Sequence, residues 1–304
     1  MPLISIIMRT KNSEDTLAES LSSLFQQSEQ DFELIIVDSG SVDQTLAIAS
    51  HYPHRLFRIA PEDYFPGKVL NAAAEKARGK YLVFQNSDVI LMGRDALQQL
   101  IAPLEETASL NATFARQVPR PEADLWVRED YAKAFPAQSP APPWMHYSLP
   151  FAAMRREVWL DHPFYSWAWG SEDTEWGLRQ RQRAPESIAY VPRCEVMHSH
   201  NYTFAQIHGR RFIEGEADAW MQRGQKRVSL NYKLLRAGLQ ALRDVQTAVR
   251  QRQLQAACYA LPRRLYWEWA HEQGFKHGER RLKDQSLGAE QGQRTVLSSH
   301  YARS

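Results

Sequence analysis

Carboxylates and imidazoles held at short spacing can move protons or hold a cation, and a few short segments of this chain offer them. In Gly170-Ser-Glu-Asp-Thr-Glu-Trp176, three acids, Glu172, Asp173 and Glu175, stand near Trp167, Trp169 and Trp176. A carboxylate partly desolvated by aromatic rings is a candidate general base, because burial raises its pKa toward working pH. The same acids also suit the positive end of a helix that Ser171 would cap. In Asn86-Ser87-Asp88 the aspartate can hold a divalent cation that bridges a diphosphate, or can be a turn residue. In His198-Ser-His200 an extended backbone sends both imidazoles to one side, and one of them could complete a site begun by Asp88, favouring Mn²⁺ over Mg²⁺. Hydrogen-bonded structural histidines are the alternative. Asp38, opening Asp38-Ser-Gly-Ser41, either meets a ligand or satisfies turn amides. Lys68 and Asn71 share a helix face, where Lys68 either meets a phosphate or lies solvated.

The elements that must position these residues alternate in type. β-Branched runs at 3–8, 32–37, 55–59 and 80–85 are separated by amphipathic stretches at 13–27, 43–50 and 68–77. That pattern predicts an α/β fold with a largely parallel sheet flanked by helices, whose ligands bind at the carboxyl ends of the strands. The polar segments 9–12, 38–41 and 86–88 follow three of those strands and converge on one rim. The Pro-rich stretch from Pro119 to Pro150 reads as irregular loop. Apolar residues from Tyr232 to Ala260 recur at helical spacing, with Pro262 ending or redirecting the helix. The last dozen residues are expected to be disordered. The division predicted is 1–223 for a catalytic domain and 224–304 for a basic helical extension.

Composition removes several classes. The chain has 304 residues, 43% hydrophobic and 24% charged, which is enough apolar content for a real core. No apolar run approaches the roughly 18 residues a membrane span needs, and Leu3–Met8 is too short for a signal-peptide core, so a cytoplasmic location is expected. Cys194 and Cys258 have no CxxC partner, which argues against a disulfide framework or a thiolate zinc site. Neither GxGxxG after a strand nor GxxxxGK[ST] occurs, so a dehydrogenase or P-loop kinase is not expected. The net charge of +2 conceals an asymmetry, since residues 224–304 hold 15 Lys/Arg against 6 Asp/Glu, a net +9. Such a tail can meet anionic lipid, grip a polyanionic substrate or form a solvated face. Trp267, Trp269, Tyr259 and Tyr266 are available for a membrane interface, and dimerisation through the same helices is the competing use.

Taken in order, Arg9-Thr-Lys-Asn12, Val37 to Thr45, Phe65 to Asn71 with Ala77 to Phe84, Asn86-Ser-Asp88, Gly170 to Trp176 and His198 to Thr203 resemble the inverting family 2 glycosyltransferases of the GT-A fold, rhamnosyltransferase-like subgroup. The resemblance covers roughly residues 3 to 215. It implies a nucleotide-sugar donor, dTDP-rhamnose-like or a UDP-hexose, and a glycan or lipid-linked saccharide acceptor in bacterial surface polysaccharide synthesis, with no nucleic acid involved. It places Thr10, Asn12, Asp38, Lys68, Asn71, Asn86, Ser87 and Trp169 at the nucleotide-sugar, with Asp38 on the pyrimidine edge and Asn86 toward the ribose. Asp88 and His198 become ligands of Mn²⁺ or Mg²⁺, Asp173 the catalytic base and Glu172 its neighbour at acceptor or sugar. Asn86 stands where the family's DxD motif has its first acid. The rival function is a catalytically silent nucleotide-sugar or glycan-binding protein on the same fold. A homodimer and peripheral attachment to the inner face of the cell membrane complete the expectations.

Overall fold

The computed structural model describes residues 1–284 and 286–300, without the side chains of residues 299 and 300. The strands are β1 (Ile4–Thr10), β2 (Phe32–Asp38), β3 (Arg55–Arg58), β4 (Tyr81–Asn86), β5 (Ile90–Leu91), β6 (Ala112–Val118), β7 (Phe151–Arg155) and β8 (Ile188–Met197). The helices are α1 (Glu14–Phe25), α2 (Thr45–Ala49), α3 (Pro66–Lys76), α4 (Ala96–Glu106), α5 (Leu125–Ala134), α6 (Arg156–Asp161), α7 (Glu172–Arg183), α8 (Phe204–Met221), α9 (Leu230–Arg250), α10 (Leu254–Lys283) and α11 (Glu290–His300). Two compact units form. One comprises Met1–Ala123, Val127–Ser166 and Glu172–His200; the other Asp124–Trp126, Trp167–Ser171 and the described residues from Asn201 onward. The helix α8, ahead of the expected division at 223/224, therefore groups with the C-terminal helices.

The first unit is built on a mixed sheet of order β3-β2-β1-β4-β7-β6-β8-β5. Its first four neighbours are parallel, as the β-α-β-α alternation requires, and β7 enters antiparallel to both β4 and β6. Alternation along the central strands sends Ile4, Ile6 and Met8 to one face, against Leu17, Leu21 and Leu24 of α1 and Leu97, Leu100 and Leu104 of α4. Ile7, Val37 and Phe84 face the other way, against Val69, Leu70 and Ala73 of α3 and Trp176 of α7. Between β6 and β8 the register slips after Ala115, so that Val191 and Glu195 occupy consecutive pairing positions and Pro192–Cys194 bulge out. After the bulge the strands pair again, and His198 leaves β8 with its amide on the Val118 carbonyl at 3.0 Å.

Helix α7 lies unusually close to the segment before β7. A Cβ on Gly177 would stand 2.7 Å from the Tyr147 Cβ and 2.9 Å from the His146 carbonyl carbon. Trp176, fully buried, packs its ring on Tyr147 at 5.0 Å and donates from Nε1 to the His162 carbonyl at 2.8 Å.

The second unit packs α8 on α10 with α9 and α11 beside them. Gly274 of α10 lets the backbones nearly touch, because its Cβ would fall 1.8 Å from the Phe212 carbonyl oxygen. Buried charges are paired: Arg264 with Asp244 at 2.6 Å and Arg281 with Glu216 at 2.9 Å. Burial pushes the Glu216 carboxyl up to about 7 although Arg281 opposes the rise. No helix of the described residues is long and apolar enough to cross a membrane.

Three expectations change. The Pro-rich stretch contains α5, because residues 122–135 carry no proline and run between Pro121 and Pro136. Pro262 lies inside the 30-residue α10, and the chain breaks instead at 251–253, where Arg252 has φ 58°. The exposed position of Pro262 lets water meet the carbonyl that its missing N–H leaves behind. Of the closing dozen residues, those up to His300 are helical, and the last four lie outside the described residues.

The close approach of α7 carries a prediction. Gly177→Ala should lower the unfolding free energy by about 1–3 kcal/mol, since backbone atoms rather than a flexible side-chain tip must yield. Chemical denaturation monitored by tryptophan fluorescence should show the shifted midpoint; an unchanged midpoint would mean that α7 sits further from residues 146–147.

Candidate active site

The carboxyl ends of β1, β2 and β4 form the expected rim, with Thr10 opposite Asp38 and Arg9 opposite Asn86 in the strand register. Asp38 is fully buried and its carboxylate is saturated. It accepts from Thr10 Oγ1 at 3.2 Å, the Gly40 amide at 3.1 Å, the Ser41 amide at 3.0 Å and Ser41 Oγ at 2.5 Å. It thus shapes the 39–41 turn at the end of β2, where the pyrimidine contact is expected. Thr10, also buried, belongs to the same network. Asn12, at φ 46°, accepts the Val42 amide on Oδ1 at 3.0 Å and so ties the first loop to the second. Lys11 reinforces the tie by donating to the Ser39 and Gly40 carbonyls.

Beyond β4, Asn86 and Ser87 are half-buried, and Ser87 Oγ meets Ser13 Oγ at 3.0 Å. Asp88 meets both expected histidines: His200 Nε2 lies 3.0 Å and His198 Nε2 3.5 Å from its Oδ2. Donor atoms of the three residues all fall within 4.8 Å of one another. His200 is therefore an additional member of the cluster. Burial acts to raise the Asp88 pKa, but the hydrogen bond from His200 and the charges of His198 and His200 outweigh it and hold the carboxyl down to about 2. Arg120 clips the cluster from behind, donating from its side chain to the Asp88 carbonyl at 2.7 Å and from its amide to Ser199 Oγ at 2.9 Å.

His198 is held in one orientation. Its Nδ1 lies 2.8 Å from Gln117 Oε1, and Gln117 turns its Nε2 to Ser148 Oγ at 2.9 Å. Since the amide oxygen can only accept, Nδ1 carries the proton, and in the neutral ring the Nε2 lone pair faces Asp88. A lone pair facing a carboxylate oxygen is stable only with a proton or a cation between them.

At the start of α7, Glu172 is buried and pairs with Arg9 at 3.0 Å. Burial works against the Arg9 charge, while Tyr64, Glu172 and Asp173 outweigh it and keep the guanidinium protonated. Asp173 is half-buried, accepting the Leu149 amide on Oδ2 at 3.2 Å and the Thr174 amide on Oδ1 at 2.7 Å. The Asn86 amide donates to the Pro150 carbonyl at 3.0 Å. Three consecutive residues, Ser148, Leu149 and Pro150, therefore tie the histidine cluster, the α7 carboxylates and the end of β4 to one short backbone.

The remaining expected residues lie on α3 and in the second unit. Asn71 is a clamp: its Oδ1 accepts from Trp159 Nε1 and the Phe164 amide, each at 3.0 Å, and its Nδ2 donates to the Phe164 carbonyl at 2.8 Å. Lys68, exposed, lies over the Phe65 ring at 5.3 Å. Trp169 is buried within the second unit, and Trp167 there stacks on Trp220 at 5.0 Å beneath the Arg281 guanidinium. Trp176, on α7, belongs to the other unit. Ser171, at φ 56°, departs from the extended backbone of a helix cap. Gln117 and Arg120 carried no signal in the sequence, since a strand glutamine and a lone arginine resemble many others.

Residues 5–161 match the model described as Glycosyl transferase family 2, and the chain belongs to that family; it is a glycosyltransferase. It is 30% identical to the O-antigen chain rhamnosyltransferase WbaN of Salmonella anatum, over 92% of this chain and 90% of that protein. Among solved structures it resembles residues 1–349 of Staphylococcus aureus TarS, with TM-score 0.56 and 18% identity over 93% of this chain and 92% of that one. It is also similar to the mannosyltransferase PcManGT of Pyrobaculum calidifontis, solved with GDP-Man and Mn²⁺, with TM-score 0.54 and 17% identity over 98% and 80% of the two chains. These likenesses establish the GT-A type of fold.

The Arg9–Glu172 pair is mostly buried, so removing one partner strands the other. Arg9→Met should cost about 2–4 kcal/mol of stability, and adding Glu172→Met should recover part of it. Urea unfolding of the two single variants and the double variant measures the coupling; strictly additive losses would show that the two side chains do not interact.

Proposed function

We propose that the chain moves a deoxyhexose from dTDP-rhamnose, with inversion, to a hydroxyl of a lipid-linked saccharide during surface polysaccharide synthesis. The observation that carries this reading is the 148–150 segment, which holds Asp173 and the Asp88 cluster on one frame. The likeness to a rhamnosyltransferase along nearly the whole chain supports the donor class.

Asp173 is the base: held on both oxygens, it takes the proton from the acceptor hydroxyl as that oxygen attacks the anomeric carbon. The bond to the diphosphate breaks on the opposite face, and the configuration inverts. Glu172, fixed by Arg9, lies beside Asp173 for a hydroxyl of acceptor or sugar. The loops braced by Thr10, Asn12 and Asp38 contain the nucleotide, with Asn86, Ser87 and the exposed Lys68 for its ribose and phosphates.

Asp88, His198 and His200 would hold a divalent cation. The facing lone pair and carboxylate fit a cation between them, and one oxygen with two imidazole nitrogens suits Mn²⁺ better than Mg²⁺. When bound, the cation supplies positive charge against the departing diphosphate. Asn86 in place of an acid leaves the histidines to complete the ligand set.

Asp173→Asn should leave donor binding nearly intact and cut turnover by at least about a hundredfold. Single-turnover assay with radiolabelled donor tests this, and near-normal turnover would remove Asp173 from the chemistry. Chelation with EDTA should abolish transfer, with Mn²⁺ restoring it more fully than Mg²⁺. Gln117→Leu, which frees the His198 ring, should weaken Mn²⁺ binding in a thermal-shift titration by about 10- to 100-fold. Full activity in chelator, or an unaltered Mn²⁺ titration, would contradict the proposed ligand set.

A further inference from the structure

Helix α9 is built inside out. Its small residues Ala237, Ala241 and Ala248 are buried with Asp244, and Ala241 packs against Ala260 of α10. Its large apolar residues point to solvent: Leu235 and Leu242 are each 61% exposed, Leu239 and Val249 each 52%. These positions follow one helical stripe. An exposed arginine comes directly after three of them, as Arg236, Arg243 and Arg250. The helix has a single acid, Asp244, which is buried and neutralised by Arg264 at 2.6 Å, so α9 offers no negative charge outward. The start of α10 carries another exposed run, Leu254, Leu261 and Leu265, with Tyr259 and Trp269 also half exposed. Trp267 is not part of it, because Arg211 and Arg263 sit over its ring at 4.6 and 5.8 Å.

A leucine stripe facing water while alanines fill the core needs a partner, and the charge says which. Pairing two α9 faces would oppose two arginine rows with no acid between them, whereas a bilayer bearing phosphates meets both the cations and the leucines. We propose that α9 is a docking surface for an anionic phospholipid bilayer, with Leu235, Leu239, Leu242 and Val249 at the boundary of head groups and acyl chains and the three arginines on lipid phosphates. The inference stands on the second unit alone and is independent of the transfer chemistry.

The full-length protein should co-sediment with vesicles of phosphatidylcholine mixed with phosphatidylglycerol, far less with phosphatidylcholine alone, and progressively less as salt screens the arginines. Replacing Arg236, Arg243 and Arg250 together by Gln should weaken the partition by roughly a hundredfold, at about fivefold for each cation. The double variant L235E/L242E, changed only at exposed positions, should lose binding while keeping its circular dichroism melt and its donor binding. Equal binding to neutral vesicles, absence of salt dependence, or unchanged binding of L235E/L242E would overturn the proposal. So would a concentration-dependent dimer, seen by sedimentation without any vesicle binding and dissolved by the same variant, since a second copy would then cover the stripe. Retained donor binding and transfer to a soluble acceptor separate a failure here from a failure of the enzymatic reading.

Discussion

The hydrogen bonds of Ser148, Leu149 and Pro150 are the constraint on which the active site depends. One backbone run, entering β7 between β4 and β6, orients the glutamine behind His198, caps the carboxylate of Asp173 and accepts the amide at the end of β4. A base and a charge-neutralising centre on opposite sides of a reacting carbon must keep a fixed separation, because small misplacements cost large factors in rate. With the roles proposed for Asp173 and Asp88, the shared strand entry would supply that separation without a long-range network. Gly177 is part of the same device, since only a residue lacking Cβ lets α7 settle against His146 and Tyr147.

The first four strands and their helices were legible because the hydrophobic period switches cleanly between two and 3.6 along the first 86 residues. The polar strand ends were legible too, and so were the paired histidines. What lay hidden was reciprocal. Asp38 reads as a ligand contact by type, and the four local donors that also hold it could not be foreseen from its spacing. Asn71 shares a helix face with Lys68 as expected, but its partners are about ninety residues further along and could not be foreseen. The antiparallel β7 and the bulge in β8 likewise arise from tertiary pairing, not from local pattern. Of the tryptophans near Asp173 in sequence, Trp167 and Trp169 belong to the second unit and Trp176 to the first, a division that no local pattern announces.

The second unit shows how composition can mislead in both directions. The net +9 of residues 224–304 is partly internal, since Arg264 and Arg281 are spent on buried acids. The charge that remains outward on α9 is smaller but is arranged with leucines in a way that the count alone does not reveal. Small residues inside and large ones outside reverse the usual logic of a helix in a water-soluble bundle.

The central claim, that Asp88, His198 and His200 form a cation centre within the frame that carries Asp173, is tested most directly by anomalous diffraction at the manganese edge from crystals grown with Mn²⁺ and dTDP. The account predicts a single strong anomalous peak in coordination contact with Asp88 and both imidazoles, with diphosphate density against it and the Asp173 carboxylate opening on the same cavity. A peak elsewhere, or diphosphate bound with no metal beside Asp88, would contradict it.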